Sequence, residues 1–99
     1  MLGIDITNIA RFRNISLKTI KRFLSEEEFL IYQNEENKIK FLAVRWAIKE
    51  AIFKADNLEY SFKKINIKKT KGKYIYKNFV ISTSCEENLL TAIALKKEN

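Results

Sequence analysis

The 99-residue sequence contains no histidine, and this absence removes several kinds of catalytic site. An imidazole general base, a zinc site with histidine ligands and a serine–histidine pair are all impossible within this chain. If the protein is an enzyme, its chemistry therefore depends on carboxylates, lysines, bound water or a hard metal ion. The sequence also has no proline and only two glycines, so its loops are set by Asn, Lys and Glu.

Cysteine is scarce as well, because Cys85 is the only one and cannot form an intrachain disulfide. A lone thiol suits a reducing compartment, and we expect a cytoplasmic protein. The start MLGIDIT lacks the basic region and apolar run of a signal peptide. No apolar run approaches the roughly 20 residues that cross a bilayer, so we expect no membrane association.

Positive charge is what the sequence has in excess, with a formal net charge of +7 at pH 7. This charge indicates an anionic partner, which could be nucleic acid, a membrane surface, an acidic protein or a phosphorylated small molecule. Residues 1–99 are predicted to form a single domain, and 46% apolar residues are enough for a packed core. A domain this small leaves much surface exposed, so we also expect it to associate.

The order of the elements predicts an α+β fold, with a long central helix packed on a small antiparallel sheet. Residues 2–6 alternate as a strand, with Leu2, Ile4 and Ile6 on one face and Gly3, Asp5 and Thr7 on the other. The other predicted elements are a weakly helical basic stretch over 8–20, a helix over 26–33 capped by Ser25, the long helix over 35–55, and strands over 61–69, 73–84 and 89–97, with a turn at Gly72.

The long helix carries the most informative pattern. At about 100° per residue most of its circumference is apolar, and Glu50 lies in the middle of one apolar arc. Arg45 and Lys49 belong to a narrow basic stripe between two such arcs. A carboxylate on an apolar surface needs a partner, and Lys54, one turn on, could form an ordinary ion pair with it. From the helix alone, this structural explanation is favoured.

Asp5 supplies a second isolated carboxylate, in a strand where aspartate is disfavoured. It could cap the segment that follows, or place a charge on an edge strand. Together with Glu50, however, it provides the oxygens that a hard divalent cation needs. Magnesium takes few protein oxygens and keeps sites for water and phosphates, and the basic stripe would hold further phosphates.

Three segments resemble the holo-acyl-carrier-protein synthases, a family of 4'-phosphopantetheinyl transferases. GID followed by NIARF, residues 3–12, resembles the family's opening strand and its arginine-bearing first helix. KRFLSEEE, residues 21–28, resembles the segment leading to the family's second helix. FLAVRWAIKEAIFKA, residues 41–55, resembles the family's central signature F-L-A-x-R-F/W-A-x-K-E-A-x-x-K-A. The resemblance implies the 4'-phosphopantetheinyl transferase fold.

The resemblance also implies an activity, partners and an assembly. The reaction would be the magnesium-dependent transfer of 4'-phosphopantetheine from coenzyme A to a serine of apo-acyl carrier protein, releasing adenosine 3',5'-bisphosphate. The partners would be coenzyme A and an acidic carrier protein, in fatty acid biosynthesis, and nucleic acid is not expected as a partner. The family further implies a homotrimer with active sites between subunits.

Site residues can be carried over position by position. Asp5 and Glu50 match the family's two magnesium-coordinating carboxylates, and Lys54 matches a lysine that contacts the phosphates of coenzyme A. Glu50, or a water molecule on the metal, would deprotonate the serine, and Lys54 would stabilise the leaving phosphate. The residues expected around coenzyme A are Arg45, Lys49, Lys54 and Ser82. Those expected to face the carrier protein are Arg11, Arg13 and Lys18.

Two positions depart from the family pattern. Val80 stands where the family usually has a histidine, so that contact with coenzyme A is lost or replaced. The segment DNLEYS, residues 56–61, replaces a glycine-rich turn after the long helix. A degenerate homologue that binds coenzyme A or carrier protein without turnover is therefore one alternative.

A nucleic-acid-binding module is the other alternative. Aromatic residues among lysines can stack bases, and the candidates are Tyr60, Phe62, Tyr74, Tyr76 and Phe79. Aromatic residues that alternate in strands are more often part of the core, with the lysines on the solvated face.

Overall fold

A three-stranded antiparallel sheet packed against one long helix forms the centre of the computed structural model, which describes residues 1–98. The helices are α1 (Leu17–Phe23), α2 (Glu26–Gln33) and α3 (Lys38–Ala55). The strands are β1 (Leu2–Asn8), β2 (Lys68–Thr70), β3 (Lys73–Ile75), β4 (Phe79–Glu86) and β5 (Leu89–Lys96). This arrangement confirms the predicted α+β fold.

The sheet has the order β1-β5-β4, so the strand from the end of the described chain lies between the other two. Asp5 of β1 and Thr83 of β4 both lie opposite Ala92 of β5. The short strands β2 and β3 form a separate hairpin. Its turn includes Gly72 at a φ of +78°, a conformation that glycine adopts at no steric cost, as the sequence predicts.

Each helix begins at a side chain that caps its free N–H groups. Ser16 caps α1 and Asn37 caps α3, each accepting a hydrogen bond from a backbone N–H three residues on. Ser25 and Glu28 form a reciprocal capping box at the start of α2, which confirms that predicted helix and its bounds. In the described part of the chain, no helix combines the length and the apolar character needed to cross a membrane.

The closest approach in the core is between β1 and α3. A Cβ atom added to Gly3 would lie 1.8 Å from the carbonyl oxygen of Ala51, so only glycine permits this contact. Ala47 and Ala51 on α3 are fully buried, as are Ala92 and Ala94 on β5. Small residues on both sides therefore bring the backbone of β1 directly onto the helix.

The opposite face of the sheet is exposed and apolar. Leu2, Ile4 and Ile6 remain 58%, 60% and 61% exposed, whereas Gly3 and Thr7 face α3. The alternation therefore correctly predicts which residues of β1 share a face. The face with the smaller side chains is the one that packs on the helix. We call this surface the exposed sheet face; its other exposed apolar members are Val80, Ile93 and Leu95.

Three predicted segments differ from the structure. The strand predicted over 73–84 is two strands, β3 and β4, separated by residues 76–78. The strand predicted over 61–69 is wrong for most of its length, because Phe62–Lys64 form a 3-10 helix and only Lys68–Thr70 pair as β2. Ile65 and Ile67 are buried individually in a stretch that belongs to no strand. The basic stretch over 8–20 begins as a 3-10 helix, Ile9–Phe12, before α1 starts at Leu17.

Candidate active site

Three of the predicted site residues meet where β1 lies on α3. The Lys54 ammonium donates hydrogen bonds to Asp5 Oδ1 at 3.1 Å and to the Ile4 carbonyl at 3.0 Å. The other oxygen of Asp5, Oδ2, is buried and has no hydrogen-bond partner among the described residues. The ion pair between Glu50 and Lys54 that the helix pattern favoured is not formed in residues 1–98, since Lys54 pairs with Asp5 instead.

Two carboxylates repel each other in this cluster, and two cations partly offset the repulsion. Burial, and then the nearby Asp5 carboxylate, raise the pKa of Glu50 above its ordinary value, while Lys54 and Arg11 act in the opposite direction. Lys54 is 48% exposed, so its attraction is weakened by solvent. Two carboxylates held close together with one buried, unpaired oxygen form a favourable environment for a cation.

The donor set fits a hard cation that takes few protein ligands. Carboxylate oxygens suit magnesium, which keeps several coordination positions for water or substrate. Across residues 1–98 there is no group of three or more His, Cys, Asp or Glu side chains arranged to hold a metal ion. A cation here would therefore take two carboxylates from this chain and its remaining ligands from elsewhere.

Arg11 lies beside this cluster rather than on a distant surface. It influences the pKa of Glu50, and its Nη1 donates a hydrogen bond of 3.2 Å to Thr7 Oγ1. Its guanidinium lies 5.4 Å from the centre of the Trp46 ring. Arg13 and Lys18, the other two residues predicted to face a carrier protein, are also exposed. All three are therefore accessible to a large partner.

Lys49 differs from the sequence-based prediction. Its side chain is completely buried, and the ammonium donates hydrogen bonds to Glu28 Oε1 at 2.5 Å, the Phe23 carbonyl at 2.6 Å and the Phe62 carbonyl at 2.9 Å. Burial lowers its pKa to about 8, although the Glu28 carboxylate acts to raise it. With all three of its donors in use, Lys49 has none left for a phosphate. This corrects its predicted place around the nucleotide.

Glu28 is the residue that the sequence interpretation missed. Its carboxylate is fully buried, where Oε1 also accepts from the Ser25 N–H at 2.9 Å and Oε2 accepts from the Ile67 N–H at 3.2 Å. Arg45 Nε lies 3.1 Å from Oε2. The S-x-x-E pattern of the capping box was visible in the sequence, but the counter-charges on α3 lie far along the chain. We call this set of three charged residues the buried ionic network.

Arg45 lies at the edge of the buried ionic network, on the wall of a cleft. Its guanidinium carbon lies 4.5 Å from the centre of the Phe41 ring and 5.4 Å from that of Tyr74. The cleft has a volume of about 390 Å³, and its other charged lining residues are Lys40, Lys69 and Glu35, so its lining is basic overall. Arg45 therefore adjoins a basic cleft, although little of its side chain is exposed.

Ser82 is not brought together with Asp5 and Glu50 within one chain. It lies opposite Ile93 on β4 and is exposed beside Val80 on the sheet side away from α3. Successive residues of a strand point to opposite faces, which places Ser82 on the exposed sheet face. Ser82 and Asp5 therefore lie on opposite faces of the sheet.

The aromatic residues of the nucleic-acid alternative do not form a common surface. Tyr76 and Phe79 are buried in the core, and Phe62 and Tyr74 are partly buried against it. Only Tyr60 among the five is well exposed, at 73%. The interpretation of these aromatics as core residues is thus the better one for four of the five, and this observation disfavours base stacking.

Comparison with known proteins gives matches along nearly the whole chain. Residues 1–94 match the sequence model of the 4'-phosphopantetheinyl transferase superfamily. A holo-(acyl-carrier-protein) synthase of Mycoplasma mobile is 51% identical over 98 residues, which cover 99% of this chain and 90% of the relative.

Solved structures agree with the sequence match. The holo-(acyl-carrier-protein) synthase of Helicobacter pylori, in complex with coenzyme A, has a TM-score of 0.80 and 28% identity, covering 98% of this chain and 100% of that one. The synthase of Bacillus anthracis, in complex with CoA (3',5'-ADP), has a TM-score of 0.81 and 28% identity, covering 94% and 91%. The similarity therefore extends over the sheet and all three helices.

Proposed function

The chain belongs to the 4'-phosphopantetheinyl transferase superfamily, a group of transferase enzymes, and on this basis we propose that it is a holo-(acyl-carrier-protein) synthase. It would transfer 4'-phosphopantetheine from coenzyme A to a serine of apo-acyl carrier protein and release adenosine 3',5'-bisphosphate. The observation that best supports this proposal is the meeting of Asp5, Glu50 and Lys54 on β1 and α3. We place the reaction in the cytoplasm and in fatty acid biosynthesis.

Magnesium is the proposed cofactor, held by Asp5 and Glu50. Two properties of the site support this assignment: the unpartnered buried Oδ2 of Asp5, and the raised pKa of Glu50 beside it. A bound cation would supply the missing partner and offset the repulsion between the carboxylates. When bound, magnesium would polarise the reacting phosphate and neutralise charge on the leaving group.

The chain's own side chains have distinct roles in the proposed transfer. A bond forms between the serine Oγ and the β-phosphorus of coenzyme A, and the bond from that phosphorus to the departing adenosine 3',5'-bisphosphate breaks. Glu50 takes the serine proton, since the chain has no histidine to do so. Lys54, fixed by Asp5 and the Ile4 carbonyl yet half exposed, stabilises the negative charge on the leaving phosphate.

The nucleotide half of coenzyme A is proposed to contact Arg45 in its basic cleft. Ser82 would contribute from the exposed sheet face of a neighbouring subunit, since it lies on the side of the sheet away from α3. Arg11, Arg13 and Lys18 would receive the acidic carrier protein. Since Arg11 adjoins Glu50, a carrier docked on these residues would present its serine close to the carboxylates.

A homotrimer is proposed from the exposed sheet face. Leu2, Ile4 and Ile6 form one row of a contiguous apolar surface on a small domain, and surfaces of this kind usually mark an interface. The variant Ile4→Glu should shift the mass in sedimentation from trimer to monomer. Leu58→Glu, at an exposed residue outside the sheet, should leave the mass unchanged. If the Ile4→Glu variant remained a trimer, the interface would lie on another surface of the protein.

Intact-mass spectrometry of apo-acyl carrier protein tests the proposed reaction directly. Incubation with this chain, coenzyme A and magnesium should add one phosphopantetheine, and a chelator should prevent the addition. If several carrier proteins gain no mass while coenzyme A still binds, the chain is a non-catalytic homologue. If neither turnover nor binding occurs, the proposed function is wrong, and binding to random oligonucleotides becomes the next measurement.

A further inference from the structure

We propose that Glu28 is a positioning residue that holds the Arg45 guanidinium in the orientation needed to receive a phosphate of the nucleotide. This inference rests on the proposed function, because it concerns the nucleotide half of coenzyme A. Glu28 itself is fully buried and cannot touch the substrate. Its effect would pass entirely through Arg45.

The Glu28 carboxylate is fixed from four directions. Each of its oxygens accepts one backbone N–H, from Ser25 and Ile67, so neither can rotate without losing a hydrogen bond. Lys49 then binds Oε1, and Arg45 Nε lies beside Oε2. A buried carboxylate with this many partners is a rigid reference point for the charged groups around it.

Lys49 is needed for this arrangement because it supplies a full counter-charge to Glu28. The ammonium is anchored by the Phe23 and Phe62 carbonyls as well as by the carboxylate. Arg45 is therefore not the sole partner of a buried negative charge. Glu28 carries one negative charge and has two cations beside it, Lys49 and Arg45. The positive charge of Arg45 is therefore not fully neutralised, and it is available to an anion in the cleft.

The guanidinium of Arg45 is flanked by an ion pair and by aromatic rings: its Nε is 3.1 Å from Glu28 Oε2, although Nε forms no hydrogen bond with any of residues 1–98. The plane is flanked by the Phe41 and Tyr74 rings. Neither Nη atom forms a hydrogen bond with any of residues 1–98, although Arg45 lines the cleft shared with Lys40 and Lys69. A planar fork with two free Nη groups and restricted rotation is suited to bind a phosphate at low entropic cost.

Calorimetric titration with adenosine 3',5'-bisphosphate measures this role without depending on turnover. Glu28→Gln removes the charge and keeps the shape, and it should raise the Kd about tenfold or more. The matched control is Glu26→Gln, which makes the same charge change at an exposed position in the same turn and should leave the Kd unchanged. Unchanged affinity in a folded Glu28→Gln variant would overturn the proposal.

A double-mutant cycle separates positioning from a general structural role. If Glu28 acts through Arg45, then Glu28→Gln should cost no further affinity in an Arg45→Gln background. Equal losses in both backgrounds would show that Glu28 acts elsewhere, and would overturn the assignment.

Arg45→Lys keeps the proposal testable if Glu28→Gln fails to fold, because it leaves the carboxylate with two cations. A single ammonium cannot pair with Glu28 and reach the cleft together, so this variant should bind the nucleotide as weakly as Arg45→Gln. Affinity close to that of the unaltered protein would show that charge alone suffices, and would overturn the inference. If the unaltered chain binds neither this nucleotide nor coenzyme A, the proposed function falls, and this inference falls with it.

Discussion

Two carboxylate sites lie at the same helix, α3: Glu28 on one side, and the pair of Asp5 and Glu50 on another. They differ in how completely their carboxylate oxygens are paired. Glu28 is fully buried, yet both oxygens have backbone donors, and Lys49 and Arg45 supply counter-charges. Asp5 pairs with the exposed Lys54, Glu50 forms no ion pair within residues 1–98, and one buried oxygen of Asp5 has no hydrogen-bond partner there. The more deeply buried carboxylate is thus the better satisfied one, although Arg45 Nε beside it forms no hydrogen bond within residues 1–98.

This difference indicates which group is structural and which is functional. An unpaired buried charge destabilises the folded state, and folded proteins therefore contain few of them. A carboxylate pair left partly unpaired therefore requires a partner that the chain does not itself supply. On a helical wheel, a structural charged residue cannot be told apart from a functional one. Only the ion pairs and hydrogen bonds seen in the structure distinguish them.

The largest expected effect is on the unpaired group. Asp5→Asn keeps the shape of the side chain and removes half of the proposed cation site, so transfer to the carrier protein should fall about 1000-fold. Thermal stability should stay the same or rise, since a like charge beside Glu50 is lost. Steady-state kinetics and thermal unfolding of the same preparation test both statements. Nearly full activity would mean that Asp5 is not a ligand.

The next effect is on the paired group and should appear as a loss of stability. Lys49→Met leaves Glu28 short of a counter-charge and orphans two carbonyls, which should reduce the free energy of unfolding by about 3–5 kcal/mol. Lys54→Met is the matched control, because its ion pair is 48% exposed on the lysine side and should be worth less than about 1 kcal/mol. Denaturant unfolding gives both values, and similar losses would contradict the distinction.

The smallest effect concerns a third carboxylate, Asp56, paired with Lys96 near the surface. The hydrogen bond from Lys96, and then that from the Leu58 N–H, hold the pKa of Asp56 below its ordinary value. A lowered folded-state pKa means that this stabilisation is present above the unfolded pKa and is lost as the pH falls through the folded one. Asp56→Asn should therefore flatten the fall in Tm between roughly pH 5 and pH 3. An unchanged slope would show that the pair contributes nothing to acid sensitivity.

The elements predicted best from sequence are those with local signals. The capping residue Ser25 marks the start of α2, and the apolar circumference of α3 correctly predicts its burial. The alternation of Ile65 and Ile67 predicted a strand wrongly, because an extended segment packed on the core buries every second residue whether or not it has a hydrogen-bonded neighbour. The alternation of apolar residues therefore indicates which side chains are buried, but it does not show whether the backbone pairs with a neighbouring strand.

The candidate site shows the same division. Asp5 and Glu50 could be selected as isolated carboxylates, and the structure does bring them close together. Lys49 could not be told apart from a surface lysine, because the residue that buries it, Glu28, lies on another helix. Likewise, nothing in β1 alone indicates that Gly3, rather than the leucine and isoleucines beside it, faces the helix.

The position of β5 between β1 and β4 has a consequence for synthesis on the ribosome. β1 is made first of the five strands, but its hydrogen-bonding neighbour is the one made last. Until residues 89–96 emerge, Asp5 belongs to a strand with no partner, and three large apolar side chains of β1 lack a sheet to support them. Translation that stops short of β5 should therefore yield no partly active enzyme, and the nascent chain needs protection from aggregation for almost its whole synthesis.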